Sequence, residues 1–303
     1  MTDERCGLIA RRTALIARMR NTASEVRAHD PARRVHLVVA IDRFLVRLLI
    51  TTSWGAWVLK GGYANQLRHP QDARFTEDVD LRIDADIEDA TPMITKAIAL
   101  DLDGPFTFEL ASSPRELHGP PGGGLRYAIL ARLIGQELVR FKVDISSRDA
   151  VVGEFERYPS DPIVEQLGMT PGVFPVYPVT QQLAEKLHAY TLPRDVENTR
   201  AKDLADMLWL ATRYDLSSDA LIDACIATFD RRADHTWPPS PSAPPTIWAR
   251  PYAVLRREMD LAPPTVEDAY LELMAFLKPI LAADRRLRWD HETRAWEVPN
   301  VSS

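Results

Sequence analysis

The chain has 303 residues, of which 46% are hydrophobic, and a formal net charge of −6. This length and composition allow a sizeable buried core and predict two lobes. The acidic balance argues against indiscriminate binding to nucleic acids. The longest uncharged apolar stretch, Leu48 to Leu59, is too short to cross a bilayer, and no charged-then-apolar leader opens the chain. Cys6 and Cys225 are far apart and lack zinc-type spacing, so we expect reduced thiols in a cytoplasmic protein without membrane contact.

The first 50 residues differ in charge from the rest of the chain. They hold ten arginines against five acidic residues, which gives this segment a charge of +5. Apolar residues recur at helical spacing from Leu37 to Leu49, which predicts a long helix with one buried stripe. We expect that helix to expose Arg43 and Arg47 together. Two interpretations stay open: these arginines contact nucleic-acid phosphates, or they form a solvated basic face.

A pair of carboxylates and a pair of glycines form the most informative motif. One residue separates Asp78 from Asp80, and side chains alternate along a strand, so both carboxylates would point to the same face. Such oxygen ligands suit Mg²⁺ or Mn²⁺, which fill their other positions with water and substrate phosphate. Gly61 and Gly62 begin a predicted helix over 63–68 and allow backbone amides to approach a polyphosphate. The alternative is an ordinary solvated strand end.

A second strand with polar residues on one face is predicted further along the chain. From Val139 to Ile145 apolar and polar residues alternate, which indicates a half-buried strand with Lys142 and Asp144 on the same side. If it pairs near the Asp78 strand, Asp144 becomes a third carboxylate that can bind a metal ion and help to deprotonate an attacking hydroxyl. The alternative is an exposed strand whose charged residues are solvated.

Two amphipathic helices are predicted over 180–190 and 199–210. The chain has only six lysines among its 37 basic residues, and four of the six lie in the motifs, where a compact positive charge could meet a phosphate. We predict that Lys186 binds the nucleotide phosphates and that Asp203 orients it or a metal-bound water. Lys202 can pair with Asp206 one turn later. Two other lysines are further candidates for nucleotide binding: Lys60 and Lys142.

Five runs between residues 58 and 210 carry a family resemblance. They are Leu59–Gly62 (LKGG), Arg74–Leu81 (RFTEDVDL), Lys142–Ile145 (KVDI), Ala184–Ala189 (AEKLHA) and Arg200–Asp206 (RAKDLAD). In these runs the chain resembles the AbiEii/AbiGii-type nucleotidyltransferase toxins, which include the mycobacterial MenT toxins and belong to the DNA polymerase beta superfamily. The resemblance covers about half of the chain. It implies an NTP substrate, Thr76 in the nucleotide site, the 3′ end of tRNA as acceptor, blocked translation and a cognate antitoxin.

Motifs and resemblance together predict an α/β (α+β) fold, with a polymerase-beta-type nucleotidyltransferase sheet flanked by helices. We expect amino-terminal helices and this core over 1–178, and a mostly helical lobe that contributes Lys186 and Asp203 over 179–303. In that lobe Thr265 should cap a helix that Pro279 stops near Leu277. The expected reaction transfers a nucleoside monophosphate from an NTP to an acceptor hydroxyl. The alternatives are a nucleotidyltransferase that modifies a small molecule or a protein, and a non-catalytic binding module. The oligomeric state does not follow from the sequence.

Overall fold

A computed structural model describes residues 2–26, 30–102, 104–117, 122–193 and 200–299, without the side chains of 2–9 and 11. The thiol predicted for Cys6 therefore lies outside the described residues, whereas Cys225 is a buried free thiol. The chain divides into two compact units. The first comprises 1–148 and 155–176, and the second comprises 149–154 and 177–303.

The first unit is built on a mixed sheet. Within the described residues it has eight strands, β1 (Trp57–Lys60), β2 (Asp78–Ile83), β3 (Phe106–Leu110), β4 (Arg115–Glu116), β5 (Gly124–Leu133), β6 (Gln136–Ser147), β7 (Glu156–Pro159) and β8 (Val173–Val176). Their order is β3-β5-β6-β2-β1-β8-β7, and β4 pairs with β5. Burial alternates along β2, where Val79, Leu81 and Ile83 lie in the core and the residues between them are partly exposed. The alternation predicted for this strand is therefore observed.

Helices cover one face of this sheet. They are α1 (Thr2–Ala23), α2 (Pro31–Thr51), α3 (Gly61–Arg68), α4 (Ala90–Ala99) and α5 (Pro162–Gln166). Asp30 caps α2 by accepting a hydrogen bond from the Arg33 amide at 3.0 Å. The Phe44 ring of α2 makes edge-to-face contacts with Phe108 and Phe141, at centroid distances of 6.0 and 5.6 Å. Because Phe141 points toward α2, its neighbour Lys142 points to the opposite face of the sheet.

The prediction that Arg43 and Arg47 are exposed together is wrong. Arg47 is only 2% exposed, and its guanidinium donates to the carbonyl oxygens of Leu100 and Phe106 at 3.1 and 2.8 Å. Arg43 contacts the buried carboxylate of Asp42. The helix is covered on more than one side, so these two arginines find hydrogen-bond partners inside the protein. These two arginines consequently form no basic face for a nucleic acid.

The second unit is mostly helical. Its helices are α6 (Val179–Thr191), α7 (Ala201–Ala211), α8 (Ser218–Arg232), α9 (Ala249–Glu258) and α10 (Val266–Leu281), and a small sheet joins β9 (Leu216–Ser217), β10 (Arg288–Asp290) and β11 (Ala295–Glu297). Thr265 caps α10 as predicted, but the helix continues past Pro279 to Leu281. Proline in the last turn removes a single backbone donor, so it does not stop the helix. None of the described helices has the length and apolar character needed to span a membrane.

Candidate active site

Strand pairing brings the three predicted carboxylates onto one face of the sheet. In the parallel pair β2–β6, Asp80 lies beside Asp144, and Asp78 lies beside Lys142. Paired residues on neighbouring strands point the same way, and residues two apart on one strand share a face. Asp78, Asp80 and Asp144 therefore lie on the face opposite to that of Val79, which is buried in the core.

A charged row crosses this face at right angles to the strands. We define it as Lys60, Asp80, Asp144 and Arg126, one residue from each of β1, β2, β6 and β5. Each member is the register partner of the next, so the two acids are flanked by a cation on each side. A ligand that carries both metal ions and phosphates would find complementary charges here.

Arg126 forms a bidentate ion pair with Asp144, the third predicted carboxylate. Its Nε donates to Oδ1 of Asp144 at 2.7 Å, and its terminal nitrogen donates to Oδ2 at 2.6 Å. This hydrogen bonding, followed by the charges of Asp144, Asp78 and Asp80, raises the pKa of Arg126 above its ordinary value against the opposing effect of desolvation. The pairing means that Asp144 already has a strong partner in this arrangement.

Asp78 has one oxygen that lacks a hydrogen bond. Its buried Oδ1 accepts no hydrogen bond from the described residues and lies 3.6 Å from the Lys142 ammonium. The backbone N–H of Asp78 donates to the Thr76 hydroxyl at 3.3 Å, which fixes the start of β2. A buried carboxylate oxygen without a donor is suited to a cation.

The two glycines pack closely against the acidic motif. Gly61 has φ +70°, and a Cβ on it would overlap Oδ2 of Asp80 and lie 2.8 Å from its Cγ. A Cβ on Gly62 would lie 3.2 Å from Cβ of Thr76. The left-handed backbone and the close approach both favour glycine at position 61. The start of α3 is thus held directly against the Asp80 carboxylate.

In the second unit, Lys186 belongs to a buried ionic cluster. Its Nζ lies 2.6 Å from Oδ2 of Asp206 and 3.5 Å from Oδ1 of Asp203. Arg200 makes a further contact with Asp203 at 3.3 Å. Asp206 is fully buried, whereas Lys202 is exposed, so the suggested pairing of those two is not what the structure has. Asp206, more than Asp203, positions the Lys186 ammonium.

A different set of side chains gathers metal-type ligands more tightly. Among the described residues, Asp215, Asp290 and His291 form the group of three whose ligand atoms lie within 4.8 Å of one another. Asp215 already pairs with Arg288 at 2.6 Å and with His291 at 2.7 Å. The oxygens of the three predicted carboxylates do not meet this distance as a set.

A protein-family comparison covers most of this chain. Residues 43–293 match the family described as "Nucleotidyl transferase AbiEii toxin, Type IV TA system". The chain belongs to the AbiEii nucleotidyltransferase toxin family. Membership makes it an enzyme-type toxin with a cognate antitoxin as partner, in a family that generally uses an NTP and a divalent metal.

The MenT4 structure agrees with the fold of this AbiEii-family protein. MenT4, a nucleotidyltransferase toxin from Mycobacterium tuberculosis H37Rv, matches with a TM-score of 0.59 and 21% identity, over 89% of this chain and 94% of MenT4. JHP933 from Helicobacter pylori matches with a TM-score of 0.44 and 16% identity, over 81% of this chain and 92% of that protein. No curated protein sequence gives a significant match. The predicted α/β fold is confirmed.

Two side chains that contact predicted site residues, Arg126 and Asp206, were missed from the sequence. Arg126 lies near the start of β5, but nothing in its sequence neighbours shows that it faces Asp144. Asp206 lies within the RAKDLAD run, and its helical spacing from Asp203 was a usable signal. What the sequence lacked was the partner on α6, because Lys186 is 20 residues away along the chain.

Proposed function

We propose that this toxin is a metal-dependent nucleotidyltransferase that transfers a nucleoside monophosphate from an NTP to the 3′ hydroxyl of tRNA. The observation that carries the proposal is the register of β2 and β6, which sets Asp80 beside Asp144 and places Asp78 on the same face. Membership of a nucleotidyltransferase family supports the reaction class. The tRNA acceptor rests on the resemblance to the AbiEii/MenT toxins.

The acidic residues fit a hard divalent cation. Asp78 presents a buried oxygen without a hydrogen bond, and Asp80 is approached by a glycine backbone that leaves room for no side chain. Mg²⁺ or Mn²⁺ bound by Asp78, Asp80 and Asp144 would neutralise phosphate charge and lower the pKa of the attacking hydroxyl. The oxygen-only donor set favours these ions over zinc or copper.

The other polar residues would bind and orient the nucleotide. The amides at Gly61 and Gly62, at the start of α3, can donate to phosphate oxygens. Lys60 and Lys142 flank the acids on the same face of the sheet and can neutralise phosphate charge. Thr76 fixes the start of β2 beside Gly62. In the second unit Lys186 would offset the charge of the leaving pyrophosphate, and Asp203, which contacts the Lys186 ammonium, would help to orient it.

The proposed consequence is a block in translation. A nucleotide added to the 3′ end of tRNA prevents that end from accepting an amino acid, which would make the transfer toxic. The cognate antitoxin would protect the cell from this effect. Because NTPs and tRNA are cytoplasmic, we propose that the protein acts there.

The test is to incubate the purified protein with total RNA, Mg²⁺ and each α-labelled NTP in turn. We expect one or more NTPs to label RNA of tRNA size at its 3′ end. Asp80→Asn should abolish the label, and Asp84→Asn, at an exposed acid just after the same strand, should retain it. Label on a polypeptide or small molecule, or label that survives Asp80→Asn, would reject the proposal.

A further inference from the structure

We propose that Arg126 is a ligand for the nucleotide triphosphate and that it competes with the divalent metal for Asp144. This inference rests on the proposed function and adds to it a residue outside the sequence-predicted site. In this scheme Asp144 has two alternative partners. When the nucleotide binds, the guanidinium transfers to phosphate oxygens and the carboxylate turns to the metal.

The position of Asp144 in the charged row is the first support. Its register partners are Asp80 on one side and Arg126 on the other. A carboxylate beside a second carboxylate is attracted to a shared cation, and a carboxylate beside an arginine is attracted to that arginine. The strand register therefore places a second carboxylate and an arginine directly beside Asp144, one on each neighbouring strand.

The geometry makes the two partners exclude each other. Both oxygens of Asp144 accept hydrogen bonds from Arg126, at 2.7 and 2.6 Å. A Mg²⁺ ligand must bring an oxygen to roughly 2.0–2.1 Å from the ion, and a guanidinium held on the same carboxylate would repel that ion. In agreement, the oxygens of Asp78, Asp80 and Asp144 are not gathered within 4.8 Å as a set.

A triphosphate is the chemical class that can draw Arg126 away. The Arg126 side chain is 40% exposed and that of Asp144 is 15% exposed, so the guanidinium is the member that an incoming ligand reaches. Its planar fork binds phosphate and carboxylate in the same bidentate way, so the exchange replaces one charge-assisted pair with another. Arginine stays protonated at accessible pH, which excludes deprotonation as the releasing step.

The experiment measures Mn²⁺ binding by electron paramagnetic resonance, which does not depend on turnover. The proteins are the wild type, Arg126→Met, Arg126→Lys, Asp144→Asn, Asp80→Asn and the double variant Arg126→Met/Asp144→Asn. Arg132→Met is the matched control. Arg132 lies on β5 like Arg126 and forms an ion pair at 2.8 Å with an acidic residue of the neighbouring strand β3, Glu109. Each protein is titrated with Mn²⁺ alone and then with Mn²⁺ and the α,β-methylene analogues of the four NTPs. Thermal melting confirms that each variant is folded.

We expect Arg126→Met to bind Mn²⁺ alone about tenfold more tightly than the wild type, the scale of a change beside a metal ligand. Asp144→Asn should cancel this gain in the double variant. The same arginine variant should bind the preferred NTP analogue about tenfold or more weakly, since a charged hydrogen-bond partner is lost. Arg126→Lys keeps the charge but lacks the planar guanidinium, so its affinities for Mn²⁺ and for the analogue should lie between those of the wild type and Arg126→Met. Arg132→Met should have the affinities of the wild type.

The inference is overturned if Arg126→Met binds Mn²⁺ no more tightly than the wild type, or if its affinity for the analogues is unchanged. Either result would make Arg126 a permanent structural partner of Asp144. Failure of the proposed function would give a different result in the Mn²⁺ titration. In that case Asp80→Asn would bind Mn²⁺ as the wild type does, whatever the result for Arg126.

Discussion

The open face of the sheet around Asp78 and Asp80 and the buried ionic cluster of Lys186 in the helical unit differ in how far their charges are exposed. Lys142 and Asp78 are about half exposed, and their ion pair spans 3.6 Å on an open face. Lys186 and Asp206 are almost fully buried and lie 2.6 Å apart. Exposed pairs contribute little to stability, whereas removing one partner of a buried pair leaves an uncompensated charge. Substitutions on the open face of the sheet should therefore change activity alone, and those in the buried ionic cluster should change both activity and stability.

The largest effect is expected for Asp80→Asn. We expect the rate of nucleotide transfer to fall by about a thousandfold or more, because a metal ligand that stabilises transition-state charge is worth several kcal/mol. The melting temperature should stay within a few degrees of the wild type, since Asp80 is partly exposed on the sheet face. Transfer assays and thermal melting measure the two quantities, with Asp84→Asn as the control. A large loss of stability would contradict the contrast between the two regions.

Asp206→Ala should lower the free energy of unfolding by about 3 kcal/mol, because Lys186 would stay buried without its nearest partner. Urea unfolding followed by circular dichroism measures this, and Lys202→Ala, at an exposed position of the same helix, is the control. The double variant Lys186→Met/Asp206→Leu should recover most of the loss. If Asp206→Ala unfolds at the wild-type urea concentration, the cluster does not have the structural role assigned to it.

A buried histidine should make the stability of the second unit depend on pH. Desolvation, helped by the positive charges of Arg232 and His235, lowers the pKa of His188 to about 3. Between that value and the unfolded pKa near 6.5 the unfolded chain binds a proton that the folded chain does not, so stability falls as the pH falls. The loss between pH 7.5 and pH 5 should be about 2 kcal/mol.

His188→Leu should reduce that pH dependence, measured as the shift of the urea midpoint between pH 7.5 and pH 5. The variant should keep part of the pH-dependent shift, because burial also lowers the pKa of His235. An unchanged shift in the variant would show that His188 does not titrate in this way.

The smallest effect is expected for Lys142→Met. Its ion pair with Asp78 is exposed, so the free energy of unfolding should change by less than about 0.5 kcal/mol. The KM for the NTP should rise by about tenfold, because a positive charge that faces the phosphates is lost. Arg140→Met, on the same strand and exposed in a pair with Glu137, is the control and should leave KM unchanged. Equal effects of the two variants would mean that Lys142 has no part in nucleotide binding.

Local pattern was enough to predict where the candidate carboxylates lie in the fold. Alternation along β2 and β6 placed Asp78, Asp80 and Asp144 on polar faces, and helical periodicity predicted α6 and α7 to within a few residues. Both patterns depend on neighbours in the sequence. The exposure of Arg47 was mispredicted for the same reason, because a single buried stripe does not reveal that a second surface also covers the helix.

The sequence by itself determined the fold class, the family and which residue types carry charge at the motifs. The tertiary structure decided which charged residues form ion pairs. Asp144 pairs with Arg126, and Asp206 pairs with Lys186 in place of Lys202. Strand register and helix packing set these choices, and both depend on residues distant in the chain. Ionic partners are selected by distance and burial in space, which a one-dimensional pattern does not contain.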